Sequence, residues 1–186
     1  MGAPRKMTRV GRHANIFLVG MMGAGKTTAG RLLARRLGWR FIDTDHEIEA
    51  RCGVGIPLIF EIEGEAGFRE REARAIEEFT ALAGVVLATG GGVVLRTENR
   101  SRLAARGTVI YLHAPPDALY RRVRNDRNRP LLATEDPLGR LRELYAVRDP
   151  LYREVADLVV ETGAQSARAL SRTLYARIED RCKASA

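Results

Sequence analysis

The chain has almost no lysine. Lys6, Lys26 and Lys183 are the full set, and arginine supplies the rest of the 31 Lys plus Arg. Cysteine is as scarce: Cys52 and Cys182 stand alone, with no CxxC spacing and no histidine pairing. That excludes a disulfide framework or a Cys/His structural metal and points to a reducing compartment. Aromatics make up 6% of the 186 residues and do not interleave with a basic patch, which weakens any case for a base-stacking platform. No stretch reaches the roughly 18 apolar residues of a membrane span. Residues 1–13 are basic, but only the short run Ile16-Phe17-Leu18-Val19 follows them. They read as a flexible tail and not as a secretory leader, and the cytoplasm is the expected location.

What is abundant is positive charge. The formal net charge is +8 and the sequence pI about 10.2. Nucleic acid is the first partner this suggests. An arginine-rich composition spread over a solvated surface is the bland alternative, and a site for small polyanions is a third. The low aromatic content favours composition together with anionic substrates; no nucleic acid and no membrane are expected as partners. With 45% apolar residues the chain can bury one compact core, expected over about residues 14–180 with a short C-terminal tail at 181–186.

Short apolar runs recur with helical segments between them. Strands are predicted at 15–19, 39–42, 85–88, 109–112 and 158–160. Helices are predicted at 27–37, from about 44 to 52, at 57–60, 68–82, 99–105, 117–123, 138–147 and 167–178, with the glycines of 64–67 as a break. Apolar rather than alternating strands belong to a parallel sheet covered on both faces, so the fold class is α/β. The stretch 125–137, with Arg127, Arg129 and two prolines, is the least regular interior segment and reads as a lid.

The one interior lysine sits in Gly20-Met21-Met22-Gly23-Ala24-Gly25-Lys26-Thr27, the spacing G-x-x-x-x-G-K-[ST]. Glycines there let successive N–H groups point at phosphates, and the following helix adds its positive end. Lys26 would reach the β- and γ-phosphates, and Thr27 would offer its hydroxyl to Mg²⁺. A strand before and a helix after supply the context the motif requires. Asp43 and Asp45 follow at the end of the second strand, where ligands of open α/β sheets collect. In an extended stretch both would face the same way, one toward the hydration shell of Mg²⁺ and the other toward an acceptor hydroxyl. An acidic cap on the next helix is the competing reading. No lone aspartate ends another apolar strand, which leaves Asp43 as the metal-side carboxylate. Gly90-Gly91-Gly92 after the third strand suggests close approach of backbone to a ligand. Arg69 and Arg148 could each grip a carboxylate through a bidentate fork, but composition alone cannot choose them from the other arginines. Arg122, Arg127 and Arg129 flank the lid and could neutralise transferring charge.

Taken in order, GMMGAGKT (20–27), DTD (43–45), GEAGFRERE (64–72), TGGG (89–92), RPLL (129–132) and RDPLY (148–152) resemble the shikimate kinases, over nearly the whole chain. The resemblance implies a P-loop NTPase fold like that of the nucleoside monophosphate kinases, with a five-stranded parallel sheet in the order 2-3-1-4-5. It implies transfer of phosphate from ATP to the 3-hydroxyl of shikimate, with Mg²⁺, by a monomer. Lys26, Asp45 and Arg129 would be catalytic, Asp45 as the candidate base. Gly23, Ala24, Gly25, Lys26, Thr27, Thr28, Arg122, Arg129 and Gln165 would bind ATP. Asp45, Arg69, Arg148, Gly90, Gly91, Gly92, Phe60 and Phe68 would bind shikimate. Thr27 would ligate the metal directly and Asp43 through water. The acceptor-binding region would span about 44–72 and the lid about 123–137. A gluconate kinase, a nucleoside monophosphate kinase and a nucleic-acid-dependent ATPase remain the alternatives.

Overall fold

The structure is a computed structural model that describes residues 15–126 and 129–184. The expected basic tail at 1–13, Arg127 of the expected lid and residues 185–186 lie outside the described residues.

Five strands form one parallel sheet: β1 (Asn15–Val19), β2 (Arg40–Asp43), β3 (Val85–Ala88), β4 (Thr108–His113) and β5 (Leu158–Glu161). Their order is β2-β3-β1-β4-β5. β1 lies at the centre, with Phe17 opposite Leu87 on one side and Val109 on the other. Every residue of β1 and β3 is buried, which explains their unbroken apolar runs. The one polar exception, Asn15, is satisfied: its amide donates to the Leu82 carbonyl at 2.6 Å and its oxygen accepts from Val85 N–H at 3.2 Å.

Among the described residues seven α-helices surround the sheet: α1 (Lys26–Leu37), α2 (Thr44–Cys52), α3 (Ile56–Thr80), α4 (Thr97–Arg106), α5 (Pro116–Val123), α6 (Pro137–Val155) and α7 (Ala167–Ala184). α1 packs on α7 and against β2 and β3, while α4 and α6 pack on each other and on β4. Single 3-10 turns follow the glycine run, at Val93–Leu95, and the lid arginine, at Pro130–Leu132. Among the described residues no helix is long and apolar enough to cross a membrane.

Three elements differ from the sequence reading. The break expected at 64–67 narrows to Gly64 alone, whose φ of 68° and ψ of −179° kink a helix that continues on both sides. α6, expected to end near Val147, runs through Pro150 to Val155. The proline lacks an N–H to continue the ladder, but the turn around it is pinned by Asp149, both from β4 and from within the helix. Asp149 accepts from the Tyr111 hydroxyl at 2.8 Å and from Arg153 at 2.8 Å. Residues 181–184, expected to belong to a tail, form the last turn of α7.

Candidate active site

β1 delivers the chain into the glycine loop at the carboxyl edge of the sheet, and α1 begins at Lys26. The loop lies between two adjoining cavities. The larger, about 370 Å³, is lined by Lys26, Thr27, Asp43, Asp45, Phe60 and Phe68. Arg69, Gly90, Gly91, Gly92, Arg129 and Arg148 complete the expected set on the same walls. The smaller, about 280 Å³, is lined by Ala24, Arg122, Thr162 and Gln165. Gly23, Gly25 and Thr28 face both. All the described residues singled out from the sequence as site candidates therefore converge on one connected region.

On the phosphate-loop side, Lys26 is buried. Its ammonium donates to the carbonyls of Gly20 at 2.7 Å and Met21 at 2.9 Å. Burial pulls its pKa down to about 8, against the opposing pull of Asp45. Thr27 Oγ1 donates to Asp43 Oδ2 at 2.6 Å. The other Asp43 oxygen accepts from the N–H groups of Asp45 at 3.1 Å and His46 at 3.4 Å, so it caps α2. Cap and loop partner are thus one residue.

Asp45 corrects the sequence argument in its reasoning, not its position. It does not continue the strand; it lies in the first turn of α2. The helical turn brings it to the cavity that an extended chain was expected to reach. Its Oδ1 is enclosed and has no hydrogen-bond partner among the described residues. Burial, then the neighbouring Glu72 and Asp43, raise its pKa to about 6.

Glu72 is the residue the sequence reading missed. It is fully buried, and its Oε2 accepts from Arg69 Nη1 at 2.8 Å. Its Oε1 has no hydrogen-bond partner among the described residues. A Cβ on Gly90 would stand 2.6 Å from that oxygen and 2.7 Å from Asp45 Oδ1. Two unsatisfied carboxylate oxygens therefore approach the same glycine, where a ligand hydroxyl would satisfy them. One signal was available: Glu72 lies one helical turn after Arg69 in α3, the i, i+3 spacing of an ion pair.

Two guanidiniums complete the acceptor end. Arg69 is 8% exposed, held by Glu72 and by Glu65 at 3.1 Å, and it sits 5.2 Å from the Phe68 ring centroid. Arg148 is 2% exposed and forms no ion pair among the described residues. The glycine run makes room for both. A Cβ on Gly92 would lie 2.2 Å from the Arg69 guanidinium, and one on Gly91 3.5 Å from Arg148 Nη1. A buried cation without a counter-ion is costly, and a carboxylate ligand would relieve that cost. Phe60 and Phe68, with ring centroids 4.9 Å apart, form an apolar wall.

In the expected lid, Arg129 reaches the larger cavity with its Nε held by Asp126 at 2.9 Å. In the smaller cavity Arg122 donates to the carbonyls of Gly23 at 3.0 Å and Gly163 at 2.8 Å. It therefore stitches the glycine loop to the turn after β5. The Gln165 amide donates to the Glu161 carbonyl at 3.0 Å in that turn.

A phosphate loop set in a 2-3-1-4-5 sheet, opening onto a cavity lined by two buried guanidiniums and acidic side chains, defines a P-loop kinase acting on a small acceptor. The comparisons narrow the class. The shikimate kinase family model matches residues 22–179. The shikimate kinase of Cupriavidus pinatubonensis is 61% identical over 165 residues, covering 89% of this chain and 86% of that protein. That of Bordetella avium is 62% identical over 164 residues, 88% of this chain and 78% of that protein. The solved structure of shikimate kinase from Acinetobacter baumannii in complex with shikimate is 49% identical, with a TM-score of 0.89 over 91% of this chain and 95% of that one. A gluconokinase from Sinorhizobium meliloti, 16% identical with a TM-score of 0.57 over 91% of this chain and 94% of that one, shares the fold alone. The chain belongs to the shikimate kinase family.

Proposed function

We propose that this enzyme transfers the γ-phosphoryl group of ATP to the 3-hydroxyl of shikimate, giving shikimate 3-phosphate and ADP on the route to chorismate and the aromatic amino acids. The observation that carries this reading is the buried Arg148, which forms no ion pair among the described residues, beside Arg69. Two forks around one small cavity suit a planar carboxylate, and the unsatisfied oxygens of Asp45 and Glu72 suit the hydroxyls across the ring from it.

The reaction forms a bond from the attacking oxygen to the γ-phosphorus and breaks the bond from that phosphorus to the leaving oxygen of ADP. Asp45 orients the attacking hydroxyl and takes its proton. A carboxylate with a pKa of about 6 is ionised at neutral pH and still basic enough to accept a proton in the transition state. Lys26 leaves its two loop carbonyls for the phosphates of the nucleotide. Arg129 closes with the segment 123–137 and steadies charge on the transferring group, while Arg122 and Gln165 flank the purine. The region 44–72 supplies the acceptor pocket, with Phe60 and Phe68 against the ring. Closure also excludes water, which would otherwise accept the phosphoryl group.

Thr27 and Asp43 suit Mg²⁺. Magnesium keeps several waters and takes few protein oxygens, and a hydroxyl and a carboxylate 2.6 Å apart face the cavity that the phosphates would enter. When bound with the nucleotide, the ion neutralises charge on the β- and γ-phosphates. We further propose a cytoplasmic monomer that works without nucleic acid or membrane.

The test is ADP release with shikimate, gluconate, nucleoside monophosphates and oligonucleotides offered in turn, for the wild type and for R148A. The wild type should turn over with shikimate alone. R148A should weaken shikimate binding by roughly thirtyfold or more, as loss of a buried charged partner does, and leave ATP binding nearly unchanged. Turnover dependent on another acceptor, or equal loss of both affinities, would contradict the reading.

A further inference from the structure

One buried hydroxyl joins both halves of the site without lining either cavity. Tyr152 is completely buried in α6, one helical turn after Arg148. Its hydroxyl donates to the Gly91 carbonyl and lies 3.7 Å from Met21 Sδ in the phosphate loop. Its ring stacks on Tyr111 with centroids 4.8 Å apart, and the Tyr111 hydroxyl is tied in turn to Asp149 at 2.8 Å. Burial pushes the Tyr152 pKa upward, so the group remains a donor at any working pH.

The consequence follows from the planarity of the peptide bond. The Gly91 carbonyl and the Gly92 N–H belong to one plane and point in opposite directions. With two glycines flanking it, that plane has unusual rotational freedom. Holding the carbonyl toward α6 fixes the N–H on the opposite side. Gly91 and Gly92 both line the acceptor cavity, pressed against Arg148 and Arg69 respectively. We propose that Tyr152 is a positioning residue for the acceptor. Its hydroxyl sets the Gly91–Gly92 peptide and keeps it in register with Arg148, so that backbone and guanidinium present a ready-made carboxylate site. This rests on the functional reading above, in which that site takes shikimate.

The alternative role is ordinary packing of α6 on β4, which Tyr111 would serve equally well. The two are separated by titrating shikimate and ATP separately into wild type, Tyr152→Phe and Tyr111→Phe, with melting temperatures read alongside. Tyr152→Phe should raise the shikimate Kd about tenfold, the order expected for losing one preorganised hydrogen bond and stranding its acceptor. Its ATP Kd should stay within about twofold, a difference too small to count as loss of a bond. Tyr111→Phe should lower the melting temperature and leave shikimate affinity unchanged. Unchanged affinity in Tyr152→Phe, or an equal loss in both variants, would overturn the assignment. If the ring void left by phenylalanine prevents folding, 4-methylphenylalanine and 4-aminophenylalanine at position 152 fill it without and with a donor. The amino form should bind shikimate more tightly than the methyl form; equal affinities would again overturn the assignment. Failure of the wild type itself to bind shikimate would instead count against the functional reading, because that titration precedes any comparison of variants.

Discussion

At the residue scale, the site is a set of charges gathered at one cavity, several of them largely buried. Asp45 and Glu72 approach one glycine with an unpartnered oxygen each, and the fold bears the electrostatic cost of that placement. The sign can be worked out. The Asp45 pKa is raised from 3.8 to about 6, so the folded protein binds the proton more tightly than the unfolded chain. The unfavourable contribution is absent below 3.8, grows through the interval, and is complete above about 6. D45N should therefore be more stable than the wild type at pH 7.5, by up to about 3 kcal/mol, while losing nearly all turnover. Thermal melts should show the gap closing as pH falls toward 4. A D45N protein less stable than wild type at neutral pH would refute this picture of the cavity. The same residues set the activity profile. kcat/KM for shikimate should fall below about pH 6 as Asp45 is protonated, and kcat/KM for ATP should fall above about pH 8 as Lys26 loses its proton. Lys26 and Thr27 were legible because a phosphate cradle fixes the spacing of its parts. Glu72 was not: one acid among 23 Asp plus Glu acquires meaning only when α3 turns it inward behind Arg69.

At the scale of elements, the helices carried more information than their ends. The five strands were readable because buried parallel strands are apolar without interruption. Strand order was not in the periodicity; it entered only with the family resemblance. Pro150 reads locally as a stop, yet α6 passes through it, with Asp149 beside it held by Tyr111 of β4 and by Arg153 one turn on in the same helix. That extension places Arg148 and Tyr152 on one rigid helix. Gly64 is the converse case. Four residues containing two glycines read as a loop, whereas one glycine makes the bend and α3 resumes at once. The kink separates Phe60 on one limb from Phe68, Arg69 and Glu72 on the other, all of which face the acceptor cavity. A Cβ at Gly64 would meet nothing within 4 Å, so alanine there introduces backbone strain without a clash. G64A should cost about 1–3 kcal/mol of stability and raise KM for shikimate more than KM for ATP. Denaturant melts and steady-state kinetics check both halves; a fully stable G64A with unchanged KM would show that the bend is not needed.

At the scale of the whole molecule, the excess of positive charge divides into two populations. Arg51, Arg71, Arg96, Arg100 and Arg142 pair with acids on the surface; each such pair contributes little. Arg69 and Arg148 are buried around one cavity, and Arg122 and Arg129 line the same connected region. Composition could not make that distinction, because arginine bias and arginine ligands look alike until burial separates them. In the proposed reaction this cavity presents shikimate to the phosphate loop with its 3-hydroxyl foremost. Proton–phosphorus correlation NMR on enzyme, ATP, Mg²⁺ and shikimate is the test. A single new phosphomonoester whose phosphorus couples to the proton on carbon 3 should form as ADP appears. No ester, or coupling to the proton of another ring carbon, would contradict it.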